Sequence, residues 1–246
     1  MDAGPRIDAY EWRGGREAML RWGPENGPVV VLALPLFEEA NRTRAFGVAI
    51  LRALAALGIG GVLPDLPGQG ESERTLADFS ILDLQCAYDE AVEQAGANFT
   101  GYGVGIRSGA LLDSLGLLNG RWHFAPQTGA ELLAELRRMR QSAIGKALPD
   151  DHWWFDGTFP ENEADPPVPI AGNFIGTSML TDLVVKEPYD EPNIARRVVR
   201  LTTDPRPADR KVDGAPLWRR SEPGQSLGLA QLLASDIADW IATCES

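Results

Sequence analysis

The spacing of apolar residues changes along this chain, and the changes predict its elements. Val29-Val30-Val31-Leu32-Ala33-Leu34 is an unbroken apolar run, the pattern of a strand covered on both faces. Residues 7–12 and 17–22 instead alternate imperfectly around Arg13-Gly14-Gly15-Arg16, which predicts a hairpin. Helical spacing sets in over 41–57, where Phe46, Val48, Ala49, Leu51, Leu54 and Ala55 share one side. Asn41 is placed to cap that helix, and Gly58 and Gly60 to end it. The same period returns over 78–94 through Phe79, Ile81, Leu82, Leu84, Ala87, Ala91 and Val92. Further helices are expected over 129–142, with Thr128 as cap, near 178–186, and over 227–242. Short strands are expected at 61–63, 99–104, 122–126, 197–204 and 216–218. Strand and helix alternate throughout, so the fold class is α/β: one domain over residues 1–246, with a mostly parallel sheet and helices on both faces.

Regularity fails over 143–169. Pro149, Pro160, Pro166 and Pro167 punctuate this stretch, and Trp153, Trp154, Phe155 and Phe159 give it bulk. Two readings stand side by side: a cap insertion over a cleft, or a loop pinned to the body by its tryptophans.

The stretch 97–118 carries the most chemistry. β-forming residues run into Gly105-Ile106-Arg107-Ser108-Gly109, and helical spacing follows through Ala110, Leu111, Leu112, Leu115 and Leu118. Strand, glycine-flanked turn and helix make the frame of a nucleophile elbow, G-x-S-x-G. The residue at its tip is Arg107, whose guanidinium stays protonated and has no lone pair to attack with. The shifted register Gly101-Tyr102-Gly103-Val104-Gly105 puts a glycine there instead. Ser108 stands one residue late, at the helix start, where a capping or solvent-facing hydroxyl is the plainer reading.

The order strand, loop, helix, then Asp65-Leu66-Pro67-Gly68-Gln69-Gly70-Glu71-Ser72, then an elbow, resembles the α/β-hydrolase fold. More narrowly, the chain is similar to the exosortase A system-associated hydrolases of the second type. The residues that carry this likeness are Pro35-Leu36-Phe37-Glu38-Glu39-Ala40-Asn41-Arg42-Thr43-Arg44, Gly105-Ile106-Arg107-Ser108-Gly109-Ala110-Leu111-Leu112, and Ala125-Pro126-Gln127-Thr128-Gly129 leading into Leu136-Arg137-Arg138-Met139-Arg140. Weaker likeness extends through Ile170-Ala171-Gly172 and Leu217-Trp218. Ala125, where the family often has Gln, and the region 143–169 depart from its pattern. The resemblance implies an exopolysaccharide and protein-sorting context. It implies little chemistry, since the family is called hydrolase for its fold.

A Ser-His-Asp hydrolase of this fold needs an acid after a late strand and a histidine near the C-terminus. Asp204 fits the acid, with Asp209 as backup. No histidine follows His152; His123 falls inside a strand and reads as structural, and His152 lies in the 143–169 stretch. The weak catalytic candidates are therefore Ser108, His152 and Asp204. The loop after the early strand, which supplies an oxyanion N–H in this fold, here carries Glu38 and Glu39. These carboxylates would repel an oxyanion, and Arg107 at a helix start opposes the dipole. The expectation is that Glu38 or Glu39 pairs with Arg107. Phe37, Glu38, Glu39, Asn41, Arg42, Arg107, Gln127 and Trp218 are the candidate cleft residues.

Composition narrows the function classes. A net charge of −12 argues against nucleic acid and anionic membranes. The arginines of 196–220 and the acidic run of 150–165 read as solvated faces or, for the arginines, as a patch for an anionic partner. No apolar run reaches membrane-spanning length. No secretory leader is evident at the N-terminus, and the two cysteines, Cys86 and Cys244, read as ordinary thiols, which fits a cytoplasmic location. No spacing suggests a metal. Gly101-Tyr102-Gly103-Val104-Gly105-Ile106 is a weak dinucleotide signal without its acidic partner, so no cofactor is expected. Three functions compete: a non-catalytic protein binding a small anionic or acylated ligand, an atypical ester or thioester hydrolase or acyltransferase acting through Ser108 or a water activated by Glu38, Glu39 or His152, and a protein partner in export or assembly. A homo-oligomer is compatible with each.

Overall fold

The computed structural model describes residues 4–96, 101–155, 166–220 and 224–246. The hairpin is β1 (Arg6–Trp12) and β2 (Gly15–Trp22); the apolar run is β3 (Val29–Ala33), followed by α1 (Glu38–Ala56) and β4 (Gly60–Pro64). Next come α2 (Ile81–Gly96), β5 (Gly101–Ile106), β6 (Gly120–Phe124) and α3 (Gly129–Ile144). A small pair β7 (Val168–Ile170) and β8 (Asn173–Ile175) precedes α4 (Thr177–Leu183), and β9 (Ala195–Leu201), β10 (Arg210–Val212) and α5 (Leu227–Cys244) close the chain. The main sheet has eight strands in the order β1-β2-β4-β3-β5-β6-β9-β10. From β4 to β10 every pairing is parallel; the hairpin joins antiparallel through β2. The fold class read from alternation is the one observed.

Burial on both faces explains the unbroken run in β3. Val30 and Leu32 pack in a core shared with α1 and α5, while Val29, Val31 and Ala33 pack in the opposite core with α2. The same alternation orders β5 and β6. Tyr102, Val104, Ile106, Trp122 and Phe124 face α1 and α5. Gly103 and Gly105, with Arg121 and His123 beside them, occupy the positions that alternate with these and so point to the other face.

That second face overturns one expectation. The helix expected after the elbow is a five-residue 3-10 turn, Arg107–Leu111, followed by non-helical turns up to β6. The physical reason is that its carbonyls are taken. Arg121 donates Nε to the Asp113 carbonyl at 2.8 Å and Nη2 to the Gly116 carbonyl at 2.9 Å. Gln85 donates to the Leu111 carbonyl at 2.7 Å. A side-chain donor that satisfies these oxygens removes the need for an i→i+4 ladder. The glycines let the shortened crossover lie flat on β5: a Cβ at Gly105 would meet Ala110 Cα at 2.7 Å, and one at Gly103 would meet Leu118 Cδ1 at 2.8 Å. The segment after α4 reaches the same place, with Lys186 bonded to Gln85 at 3.2 Å and the Tyr189 ring 3.9 Å from the Arg121 guanidinium.

Other corrections are local. α1 begins at Glu38 after Phe37, not at Asn41, so Glu38 and Glu39 form its acidic first turn, where the helix dipole favours them. Residues 216–218 form no strand: Leu217–Arg219 is a 3-10 turn, and the last strand is β10, three residues with two cations and little pattern to read. Thr128 caps α3 in a capping box with Glu131. Of the stretch 143–169, Trp153 and Trp154 are buried, Trp154 Nε1 donating to Thr181 at 3.2 Å; residues 156–165, with Phe159 and much of the acidic run, lie outside the described residues, as does the expected start of the elbow strand at Phe99. No described helix is long and apolar enough to cross a membrane.

β1 is an edge strand, and Gln94 of α2 closes part of its free ladder. Its Oε1 accepts from the Glu11 N–H at 3.2 Å, and its Nε2 donates to the Glu11 carbonyl at 2.7 Å. Unpaired edges template association. Gln94→Ala is expected to cost about 1 kcal/mol in urea unfolding and to raise light scattering at high protein concentration; unchanged scattering would remove the edge-guarding role.

Candidate functional site

The carboxyl ends of β3, β5 and β6 meet at one place, and each is followed by strained backbone. Phe37, Arg107 and Ala125 have φ of 62°, 56° and 48°, conformations that cost non-glycine residues about 1–3 kcal/mol each. At the middle position the turn lifts Arg107 between α1 and α3. Arg107 is 5% exposed. Its Nε and Nη2 donate to the two oxygens of Glu39, each at 3.2 Å, and Nη2 also donates to Glu135 of α3 at 2.9 and 3.0 Å. The guanidinium lies 4.8 Å from the Trp218 ring centroid, within cation–π range.

The expected ion pair therefore forms with Glu39 and not with Glu38. Glu38 turns to Arg42 and Asn41, both at 3.4 Å, and Arg42 continues to the Trp218 carbonyl at 3.3 Å. No sequence pattern marks Glu135, which occupies an unremarkable polar position in α3; only the packing of α3 over the elbow brings it to Arg107. Burial pushes the Glu39 carboxyl above the usual glutamate range, the bond from Arg107 offsets only part of this, and Glu135 adds to the rise. Burial disfavours the Arg107 charge, but the bonds and fields of Glu39 and Glu135 outweigh it and raise its pKa further.

None of the weak catalytic candidates meets a partner that would activate it. Ser108 is fully buried, and its Oγ accepts the Leu36 N–H at 2.9 Å. The next N–H of that loop, on Phe37, donates to Gln69 Oε1 at 3.2 Å. Both N–H groups of the loop that would face an oxyanion are thus engaged within the protein. Asp204 follows β9 as expected, but arginines hold it: Arg206 at 2.8 and 3.0 Å and Arg200 at 3.0 Å. The Arg206 bonds keep its carboxyl well below the usual carboxylate range, against the opposing effect of burial. His152 is exposed, near Trp154 and Phe155, in a groove of about 300 Å³ with Arg137, Asp150 and Val184. His123 is buried at 2.7 Å from Asp113, on the far side of β6 from Phe124. Gln127 is 1% exposed, donates its backbone N–H to the Arg107 carbonyl at 3.4 Å, and has no side-chain partner among the described residues. Phe37 and Trp218 are buried apolar walls. Among the described residues no group of three or more His, Cys, Asp or Glu converges on a metal position.

Comparison with known proteins gives the fold and stops there. No family model matches the sequence, and no curated protein matches it. Solved structures do match. Est1E from Butyrivibrio proteoclasticus aligns with a TM-score of 0.62 at 14% identity, covering 98% of this chain and 100% of that one. An epoxide hydrolase from Vigna radiata aligns with a TM-score of 0.61 at 13% identity over 98% and 99% of the two chains. The thioesterase domain from the curacin biosynthetic pathway aligns with a TM-score of 0.57 at 16% identity over 96% and 100%. The architecture is the α/β-hydrolase fold. At these identities the likeness concerns architecture alone.

The charge cluster has measurable consequences. Arg107→Met strands the buried Glu39 beside the half-buried Glu135 and is expected to cost about 3–5 kcal/mol in urea unfolding. Arg107→Met combined with Glu39→Gln and Glu135→Gln is expected to recover most of that loss; no recovery would mean that the cluster does not act as a unit. Folded Glu39 keeps its proton to higher pH than the unfolded chain does, so its contribution to stability is lost as pH rises from the ordinary glutamate value, about 4.3, through the raised folded value. The stability of Glu39→Gln relative to the native protein is therefore expected to improve as pH rises above the ordinary glutamate value, and a flat difference would count against the upward shift.

Proposed function

We propose that this chain is a non-catalytic protein of the α/β-hydrolase fold that binds a small anionic or acylated ligand in what remains of the active-site cleft. The observation that carries this reading is Arg107 itself: the elbow tip holds a guanidinium fixed by two carboxylates. Three features of the arrangement support this reading over acyl transfer through Ser108. Nucleophilic attack needs an activated oxygen or sulfur at the tip. Proton transfer needs a base within about 2.6–3.2 Å of that atom, and the Ser108 hydroxyl has the Leu36 N–H there instead. Oxyanion stabilisation needs free donors, and the loop N–H groups are already bonded. The strained elbow and the polar residues around it support binding as the activity that is left.

Hydrolysis of an ester or thioester, or acyl transfer from one, is the competing reading, favoured by the activity that the name of the thioesterase neighbour states. Docking of an anionic partner on the arginines of 196–220 has less support, because five of them, Arg196, Arg197, Arg200, Arg206 and Arg210, are paired with aspartates of this chain. The resemblance of 35–44, 105–112 and 125–129 to exosortase-associated hydrolases supports a place beside exopolysaccharide export, and the unpaired thiols of Cys86 and Cys244 support the cytoplasm.

A fluorophosphonate probe and a panel of short acyl esters and thioesters test this. No labelling and no turnover above buffer are expected, for the native protein and for Arg107→Ser alike, since the serine would have no imidazole beside it. Labelling and turnover that vanish together in a folded Ser108→Ala variant would overturn the non-catalytic reading.

A further inference from the structure

We propose that the cavity between the first turns of α1 and the loop after β4 holds an uncharged acyl carbonyl group, with Gln69 as its buried donor and Asn41 and Arg44 at its rim. This rests on the binding reading above and narrows it to one site and one ligand chemistry. The cavity measures about 40 Å³ and has Leu34, Pro35 and Leu66 among its apolar walls. That is room for about three water molecules, or for an acetyl-sized group.

Three observations point to an acceptor atom in it. Gln69 Oε1 already accepts the Phe37 N–H at 3.2 Å, which fixes the amide so that Nε2 is the free end. Nε2 is shut off from solvent and has no partner among the described residues, a costly state for a donor. Arg44 spends Nη1 on Asp65 at 2.8 Å, and no other of its nitrogens has a bond among the described residues. The group that meets these donors must bring lone pairs.

Local charge decides which acceptor. The charged residues that line the cavity are Asp65 and Arg44, and they are already paired with each other, so the lining offers an anion no uncompensated positive charge. A carboxylate or phosphate entering here would bring a second anion beside the buried Asp65 carboxylate that Arg44 already balances, where the repulsion is weakly screened. A carbonyl oxygen of an amide or ester accepts the same hydrogen bonds and adds no charge. Its short alkyl or acyl end suits the apolar walls.

The test uses N-methylacetamide and acetate as probes, followed by ligand-observed NMR and by crystals soaked in each. N-methylacetamide is expected to bind in the millimolar range, and acetate not at the same concentration. Gln69→Glu keeps the acceptor for the Phe37 N–H while removing the buried donor, and is expected to weaken N-methylacetamide about tenfold. Asn41→Ala, at an exposed rim position, is expected to weaken it less. Tighter binding of acetate, affinity unchanged in Gln69→Glu, or density for ordered waters only would overturn the proposal. Amide binding together with Ser108-dependent ester turnover would sink only the non-catalytic reading, whereas turnover without probe binding would sink both.

Discussion

A buried guanidinium needs anions, and this requirement organises the upper surface of the molecule. Arg107 is drawn from one element, Glu39 from another and Glu135 from a third, so the elbow, α1 and α3 are held in one relative placement. Such a cluster adds little net stability over a well-packed apolar substitute, because desolvation takes back most of the Coulomb energy. Its effect is to penalise every arrangement that separates the partners. Trp218 covers the guanidinium face, and Arg42 ties Trp218 back to α1. The result is a closed elbow where a hydrolase of this fold would have an exposed nucleophile.

A second buried arginine shapes the layer beneath. Arg121 lies on β6 with 1% exposure and binds the carbonyls of the crossover that leads into its own strand. The crossover can therefore stay short, and the two glycines of β5 that face it give it room. Asp113, in the same crossover, accepts from His123 and sits 3.7 Å from Arg121. Both polar clusters lie along one connection, residues 107–121: the first fixes its start to the helices above, and the second fixes its end to the sheet below.

The sequence announced the sheet because burial on both faces leaves a mark that composition carries directly, as in β3 and the helices beside it. It misled at 108–118, where Leu111, Leu112, Leu115 and Leu118 have helical spacing but the backbone carbonyls are taken by Arg121 and Gln85, one of them 36 residues upstream of the other. No local pattern contains that competition. The same holds at the site. Glu39 was legible because fold order brings its loop to the elbow, while the choice of Glu39 over Glu38 depends on a helix that starts three residues earlier than Asn41 suggested. Glu135 and Gln69 owe their roles wholly to packing. His123 was legible as structural because a residue in the middle of an interior strand has little access to solvent.

The strained turn at Arg107 ties the two halves of this picture together. In a hydrolase the positive φ at the elbow serves to raise a nucleophile above the sheet. Here the same conformation has a different consequence, since a long side chain raised at that point reaches α1 and α3 at once. A residue in relaxed extended backbone at 107 would send its side chain along the sheet and leave Glu39 and Glu135 facing one another without a cation. The strain, about 1–3 kcal/mol, is no larger than the cost of leaving the buried Glu39 and the half-buried Glu135 without their cation. The positive φ at the elbow therefore has a structural consequence of its own: it places one guanidinium where a helix on either side can supply an anion.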